Sequence, residues 1–255
     1  MIRVSASAFD ILWADLPHAT GHTRPPRPLL VPSVGATGED RAAVREAVYR
    51  NLAERGLYTG GRVDPDLAAR LETLAAADLF VECEALPDFA GDTGVRAVAA
   101  AAGRQAVLAV QPGRTIGLTA IRDTGVWAAI VALLPPAEPG PGHGASLPVS
   151  VLGSKIADPV FDPAPAGSPA YARQLQEVLA IQARPVLGAG QFSVRVRQGA
   201  RVRRVGGVSW FRTDAGAYFG AIAPGRGGED WASVAPADPR RLAARLADLV
   251  DQVVE

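Results

Sequence analysis

The sequence predicts an α+β fold, with a central antiparallel β-sheet built from two αβ halves and flanked by helical subdomains at both termini. Three observations predict it. Apolar residues recur with helical spacing before Phe80 and again after Asp238. Between these segments the period changes to two, which is typical of strands. The order of helix, strands and helix occurs twice, so we expect two halves related by a pseudo-twofold axis.

Proline and glycine divide the chain without splitting it into separate domains. Five prolines and three glycines fall between residues 135 and 148, where we expect regular structure to stop. A second stretch of this kind covers 159–169. We therefore expect a single domain, 1–255, with an N-terminal half of about 1–134, a crossover over 135–168 and a C-terminal half of about 169–255.

A short amphipathic helix is expected near the N-terminus. Ser7 and Asp10 have the spacing of an N-terminal cap, and Pro17 ends the helix. Its apolar face is formed by Phe9, Leu12, Trp13 and Leu16.

Two longer helices follow before the sheet. Thr37 and Asp40 cap the first of them, which ends at a left-handed Gly56. Asp64 caps the next, because it is followed by a proline at the first helical position.

The first half of the sheet starts at Phe80. Val81, Cys83 and Ala85 form an apolar side, whereas Phe80, Glu82 and Glu84 form a wetter one. The next strands are predicted over 95–102, 105–110 and 115–121, followed by an apolar helix over 123–134. Short turns between these strands predict an antiparallel meander.

The second half repeats this order. A helix is predicted over 169–183, starting behind Ser168. Four strands follow, over 192–197, 201–212, 216–222 and 231–235, and Asp238 caps a final helix.

Charge and cysteine content exclude several classes of function. The 26 basic and 26 acidic residues cancel, so neither nucleic acid nor a membrane surface is an expected partner. Cys83 is the single cysteine, which excludes an internal disulfide, and we interpret it as buried and inert. We find no signal peptide, and the longest apolar run, 126–134, is too short to cross a bilayer, so we expect a cytoplasmic protein.

Catalytic and metal-binding patterns are not found in the sequence. Ser209 follows Gly207 but lacks the second glycine of a hydrolase elbow, and 140–144 has the wrong glycine spacing for a dinucleotide. The histidines, His18, His22 and His143, lie in loops without metal-ligand spacing. We therefore expect no enzyme activity, cofactor or metal, and we keep a hydrolase-like enzyme with an unrecognised site as an alternative.

Two other patterns suggest an interaction surface. Arginines cluster around a turn at 198–200, and alternation would bring them together on one face of a hairpin, either to dock an acidic partner or simply as a solvated face. The arginines are Arg195, Arg197, Arg201, Arg203 and Arg204. Four aromatics at 210–211 and 218–219 point alternately to opposite faces, so half of them are expected in the core and half at an interface.

Several segments, in this order and spacing, resemble the EspG family nearly end to end. The segments are Phe9-Asp-x-Leu-Trp13, Leu52-Ala-Glu-Arg-Gly-Leu57, Val63-Asp-Pro-Asp-Leu67, the glycine-rich crossover from Pro139 to Pro148, Gly190-Gln-Phe192, Thr213-Asp-x-Gly-x-Tyr218 and Trp231-x-x-Val-Ala-Pro236. Arginine far outnumbers lysine, which suggests a GC-rich genome and agrees with an actinobacterial source.

The resemblance implies a cytosolic chaperone of type VII (ESX) secretion. Such a chaperone binds the apolar tip of the PPE subunit in a PE–PPE heterodimer and keeps it soluble for export. The resemblance places the partner surface on the loop 86–94 and on parts of 192–219. The candidate contacts are Leu86, Phe89, Arg195, Arg197, Arg203, Phe211 and Phe219.

Phe89 is the preferred anchor, because prolines, glycines and aspartates surround it and disfavour full burial. We keep self-association, as a weak homodimer or as a scaffold, as an alternative to binding a heterodimer.

Overall fold

The computed structural model describes residues 1–17, 24–153, 169–199, 201–225 and 228–254. The expectations for His18, His22, Ser168 and most of the stretch 159–169 lie outside these residues. The helices in the described ranges are α1 (Ala6–Ala14), α2 (Gly38–Glu54), α3 (Pro65–Ala76), α4 (Val126–Val131), α5 (Val149–Gly153), α6 (Pro169–Gln182) and α7 (Pro239–Val254).

A large antiparallel sheet dominates the fold, as predicted. Its ten strands among the described residues follow the order β1-β7-β6-β5-β4-β9-β10-β11-β12-β8. The N-terminal strands are β1 (Ile2–Ser5), β4 (Leu79–Leu86), β5 (Val95–Ala102), β6 (Gln105–Val110) and β7 (Thr115–Arg122). The C-terminal strands are β8 (Ala145–Pro148), β9 (Val186–Gln198), β10 (Arg201–Thr213), β11 (Gly216–Pro224) and β12 (Asp230–Pro236).

The N-terminus differs from the expectation. Ile2–Ser5 forms strand β1, which pairs with β7, and the Ser5 hydroxyl rather than Ser7 caps α1 by accepting from the Ala8 N–H at 3.1 Å. The predicted cap was wrong because a strand of four residues with only Val4 buried gives no readable alternation.

The caps of the next two helices are confirmed. Thr37 and Asp40 form a reciprocal capping box, and Asp64 accepts from the Leu67 N–H at 2.9 Å. Gly56 has a φ of 70°, as its position after the last turn of α2 requires. A small hairpin between these helices, β2 (Tyr58–Thr59) and β3 (Arg62–Val63), was missed by the sequence analysis.

The chain forms two compact units that are not contiguous in sequence. The first unit comprises Met1–Glu84, Gly94–Leu133 and Ser193–Val205, and the second comprises Ala85–Thr93, Leu134–Phe192 and Gly206–Glu255. The predicted halves and their pseudo-twofold relation stay a prediction.

Helix α3 and the sheet form the core of the first unit. The α3 residues Leu67, Leu71 and Leu74 are fully buried in a cluster that also contains Phe9 of α1. Phe80 belongs to the same cluster with 6% of its surface exposed, so the expectation of a wet position was wrong. The Phe80 ring packs in the cluster that contains the α3 leucines, whereas Glu84, on the same side of β4, is exposed.

The second unit corrects the expectation that 135–148 lacks regular structure. Ala145–Pro148 forms strand β8, which pairs with β12 at the edge of the sheet. An edge strand tolerates Pro148, because only one of its sides needs hydrogen-bond donors. The preceding loop is held to β11, where the Tyr218 hydroxyl donates to the Pro141 carbonyl at 3.1 Å.

Candidate partner-binding surface

Four large apolar side chains are exposed close together where β4 ends and β9 begins. Their exposed fractions are 39% for Leu86, 51% for Phe89, 44% for Val186 and 37% for Leu187. We call these four residues the Phe89 patch. All four belong to the second unit.

Backbone contacts join the two sides of the Phe89 patch. The Phe89 N–H donates to the Leu187 carbonyl at 2.8 Å. At Gly188 the strand passes so close to Pro87 that a Cβ atom would overlap the Pro87 carbonyl. The approach of the two segments therefore depends on glycine, and it brings Leu86 beside the exposed start of β9.

The residues 87–92, which we call the Phe89 loop, have a hydrogen-bonded turn at their centre. The Asp88 carboxylate accepts from the Ala90 N–H at 3.0 Å, and the Asp88 carbonyl accepts from the Gly91 N–H at 3.2 Å. The backbone donors of this turn are therefore satisfied, and it carries the exposed ring of Phe89.

Arg195 and Arg197, in the first unit, are engaged by their own fold. Arg195 forms an ion pair with Glu82 at 2.8 Å. Arg197 donates from Nε to the Ala77 carbonyl at 2.8 Å and from Nη2 to the Ala75 carbonyl at 3.2 Å. A cation at these carbonyls complements the C-terminus of α3.

Glu82 is half-buried beneath this arginine. Burial raises the pKa of its carboxyl group above 4.5, and the Arg195 hydrogen bond and charge oppose that rise. The pair is therefore part of the structure of the first unit.

Arg203 and Arg204 show that the arginines do not share one face. Arg203 donates to the Gln198 side chain at 3.1 Å, whereas Arg204 contacts the Ser193 hydroxyl at 3.3 Å. Consecutive strand residues point to opposite sides of a sheet. The expectation of a single arginine face was wrong for this reason.

A comparison with known families decides what kind of protein carries this surface. The sequence matches the family model described as the EspG family over residues 5–248. The chain belongs to the EspG family. No curated protein matches it significantly. Membership of the EspG family points to a chaperone associated with ESX secretion, and it implies interaction with a secretion-system protein.

Most of the predicted aromatic surface of this EspG-family chain lies in its core. Trp210, Tyr218 and Phe219 are 3%, 1% and 8% exposed, and Phe211 stacks on Tyr218 with ring centroids 5.6 Å apart. The expectation that half of these rings face outward was wrong, because Trp210, Tyr218 and Phe219 are all buried, and the loop at 140–141 packs against the Tyr218 ring.

Three observations on the described residues concern the single cysteine, metal binding and membrane spanning. Burial raises the pKa of Cys83 to about 12, so the thiol stays protonated, in agreement with its interpretation as inert. No group of three metal-ligating side chains is found among the described residues. In the same residues no helix is long and apolar enough to span a membrane.

The sequence analysis found one side of the Phe89 patch and missed the other. Leu86 and Phe89 were selected from the loop composition, whereas Val186 and Leu187 were overlooked because β9 was predicted to start at 192. Two consecutive large aliphatic residues behind Pro185 were the available signal for an earlier strand start.

Proposed function

We propose that this protein is a cytoplasmic chaperone of type VII secretion in an actinobacterium, and that it binds the PPE subunit of a PE–PPE heterodimer. Binding covers the apolar tip of that subunit and keeps the heterodimer soluble until export. The Phe89 patch carries the proposal, because it is an exposed apolar cluster on a member of a secretion-chaperone family.

The chemistry of the patch suits this partner. When two apolar surfaces meet, they are removed from contact with water, and this stabilises the complex by about 25 cal/mol per Å² of buried apolar area. The backbone at Phe89 is already held in a hydrogen-bonded turn, so little backbone freedom is lost when a partner covers the ring. Aromatic anchors of this kind dominate the affinity of many interfaces.

The other predicted contacts have a lesser place in the proposal. Phe211 is partly buried, Phe219 is buried, and Arg195 and Arg197 are engaged internally. Arg203 is exposed, and its contact with the partner stays a prediction. The proposal therefore depends on Leu86 and Phe89.

The first experiment is co-expression with a PE–PPE heterodimer from the same organism, followed by size-exclusion chromatography with light scattering. We expect a 1:1:1 complex with the mass of all three chains. Separate peaks at micromolar concentration would refute the proposal. A mass of the free protein that grows with concentration would then favour the self-associating alternative.

Phe89→Asp tests the surface in the same assay. A charge placed at an apolar anchor is expected to weaken the complex by about thirtyfold or more, because a charged side chain resists desolvation. Leu30→Asp is the matched control, since Leu30 is 58% exposed in the first unit and outside the Phe89 patch. Equal affinity of the two variants would remove the patch from the proposed site.

A further inference from the structure

The side chain of Arg212 on β10 reaches the base of the Phe89 loop. Arg212 donates from Nη2 to the Pro87 carbonyl at 3.3 Å, and the same atom lies 3.8 Å from the Asp88 carboxylate. Both contacts lie immediately before Phe89 in the chain.

The remaining bonds of the loop do not fix its position in the same way. The two bonds of the Asp88 turn are local and would travel with the loop if it moved. The Phe89 N–H reaches the Leu187 carbonyl, which lies in a strand segment that is itself exposed. Arg212 is half-buried on β10, so it connects the loop to the interior of the sheet.

Gly188 completes the attachment from the other strand. Only a residue without Cβ lets β9 approach the Pro87 carbonyl this closely. The Pro87 carbonyl is thus held between the backbone of Gly188 and the guanidinium of Arg212.

We propose that Arg212 is a positioning residue that fixes the Phe89 loop in the conformation that presents Phe89 to the partner. The proposal rests on the proposed function for the identity of that partner, an apolar protein tip. Its structural half, the hold of Arg212 on the loop, can be tested on the free protein.

The expected effect on affinity follows from the cost of ordering a loop. A loop that is mobile before binding must be immobilised, at about 0.5–1.5 kcal/mol for each side chain that loses its freedom. Releasing Phe89 and its neighbours should therefore weaken binding by about threefold to tenfold. The loss is smaller than that caused by Phe89→Asp, because the anchor itself is retained.

Amide hydrogen exchange of the full-length free protein tests the structural half. In Arg212→Met the amide of Phe89, which donates to the Leu187 carbonyl outside the loop, is expected to exchange at least about tenfold faster than in the wild type. Arg204→Met is the matched control, because Arg204 lies on the same strand and contacts Ser193 instead of the loop. Unchanged exchange in Arg212→Met, or the same acceleration in both variants, would overturn the proposal.

A double-mutant cycle with Phe89→Ala tests the functional half. Arg212→Met should weaken binding of the PE–PPE heterodimer threefold to tenfold when Phe89 is present and hardly at all when it is absent. An equal loss in both backgrounds would overturn the positioning role. If the wild type fails to bind, the proposed function falls, and exchange still decides whether Arg212 holds the loop.

Arg212→Lys protects the test against simple misfolding. Lysine keeps the charge and a donor, so exchange of the Phe89 amide and affinity should both fall between the wild type and Arg212→Met. A lysine variant that is as stable as the wild type but whose Phe89 amide exchanges as fast as in Arg212→Met would contradict the proposal.

Discussion

The Phe89 loop and the arginine-rich end of β9 and β10 use their polar groups differently. In the loop, backbone donors are satisfied within the turn and by Leu187, and an aromatic ring stays exposed. In the hairpin, Arg195 and Arg197 reach carboxylate and carbonyl groups of their own unit. An exposed phenylalanine has no such internal partner, so its exposure indicates an interface more directly than a cluster of arginines does.

The largest expected effect concerns a residue that was predicted at the surface and lies in the core. Phe219→Ala should lower the free energy of unfolding by about 3 kcal/mol, because it removes a buried ring and leaves a cavity. Urea unfolding of the variant and the wild type measures this change in the free energy of unfolding. A loss below about 1 kcal/mol would mean that the ring is dispensable to packing, and it would return Phe219 to the candidate surface.

The next effect separates structural from binding arginines. Arg197→Met should lower the free energy of unfolding by about 2 kcal/mol, because the last carbonyls of α3 lose a charged donor. Affinity for the PE–PPE heterodimer should not change. The same unfolding titration, together with calorimetric binding, measures both.

Arg203→Met is the matched control for that variant. Arg203 is exposed and donates to the Gln198 side chain, which is also exposed, so its loss should change stability by less than about 0.5 kcal/mol. Weakened binding in Arg197→Met at unchanged stability would break the distinction between the two regions.

The smallest expected effect is a pH dependence at Glu82. Because the pKa of the folded carboxyl group is raised above 4.5, the folded state binds more protons than the unfolded state as the pH rises from 4.5 through the raised value. The stability of the wild type relative to Glu82→Gln should therefore fall as the pH rises through that window. Urea unfolding of both proteins across this range measures the difference.

The opposite slope at Glu82 would change the comparison between the regions. A wild type that gains stability over Glu82→Gln with rising pH would mean that the Arg195 ion pair outweighs burial. The ion pair between Arg195 and Glu82 would then stabilise the arginine hairpin by more than the burial of the Glu82 carboxylate costs.

Much of the fold could be predicted because local patterns agree with the final structure. Thr37, Asp40 and Asp64 cap their helices as their spacing indicates, and the strands Val95–Ala102 and Gln105–Val110 have the predicted bounds. The edge strands β1 and β8 were missed, since short strands with one paired side lack a clear alternation. Their place in the sheet depends on partners distant in sequence.

The candidate surface was predictable only in part for a similar reason. Proline, aspartate and glycine around Phe89 indicate a turn, and a turn leaves its apolar residue exposed. Val186 and Leu187 fall before the predicted start of the strand at 192, and no local feature shows that they lie beside the loop. Arg212 could not be distinguished from the other arginines of β10 by its neighbours in sequence.

The sequence by itself determined the α+β class, the caps of α2 and α3, the inert Cys83 and the resemblance to the EspG family, because each depends on patterns of residues that are close together along the chain. The tertiary structure decided which arginines are engaged, which aromatics are buried and which apolar residues meet at the Phe89 patch. These outcomes depend on contacts between residues that are far apart in sequence, such as the hydrogen bond from Arg212 to the Pro87 carbonyl. Local sequence patterns do not show which distant donor, acceptor or apolar side chain a residue will meet.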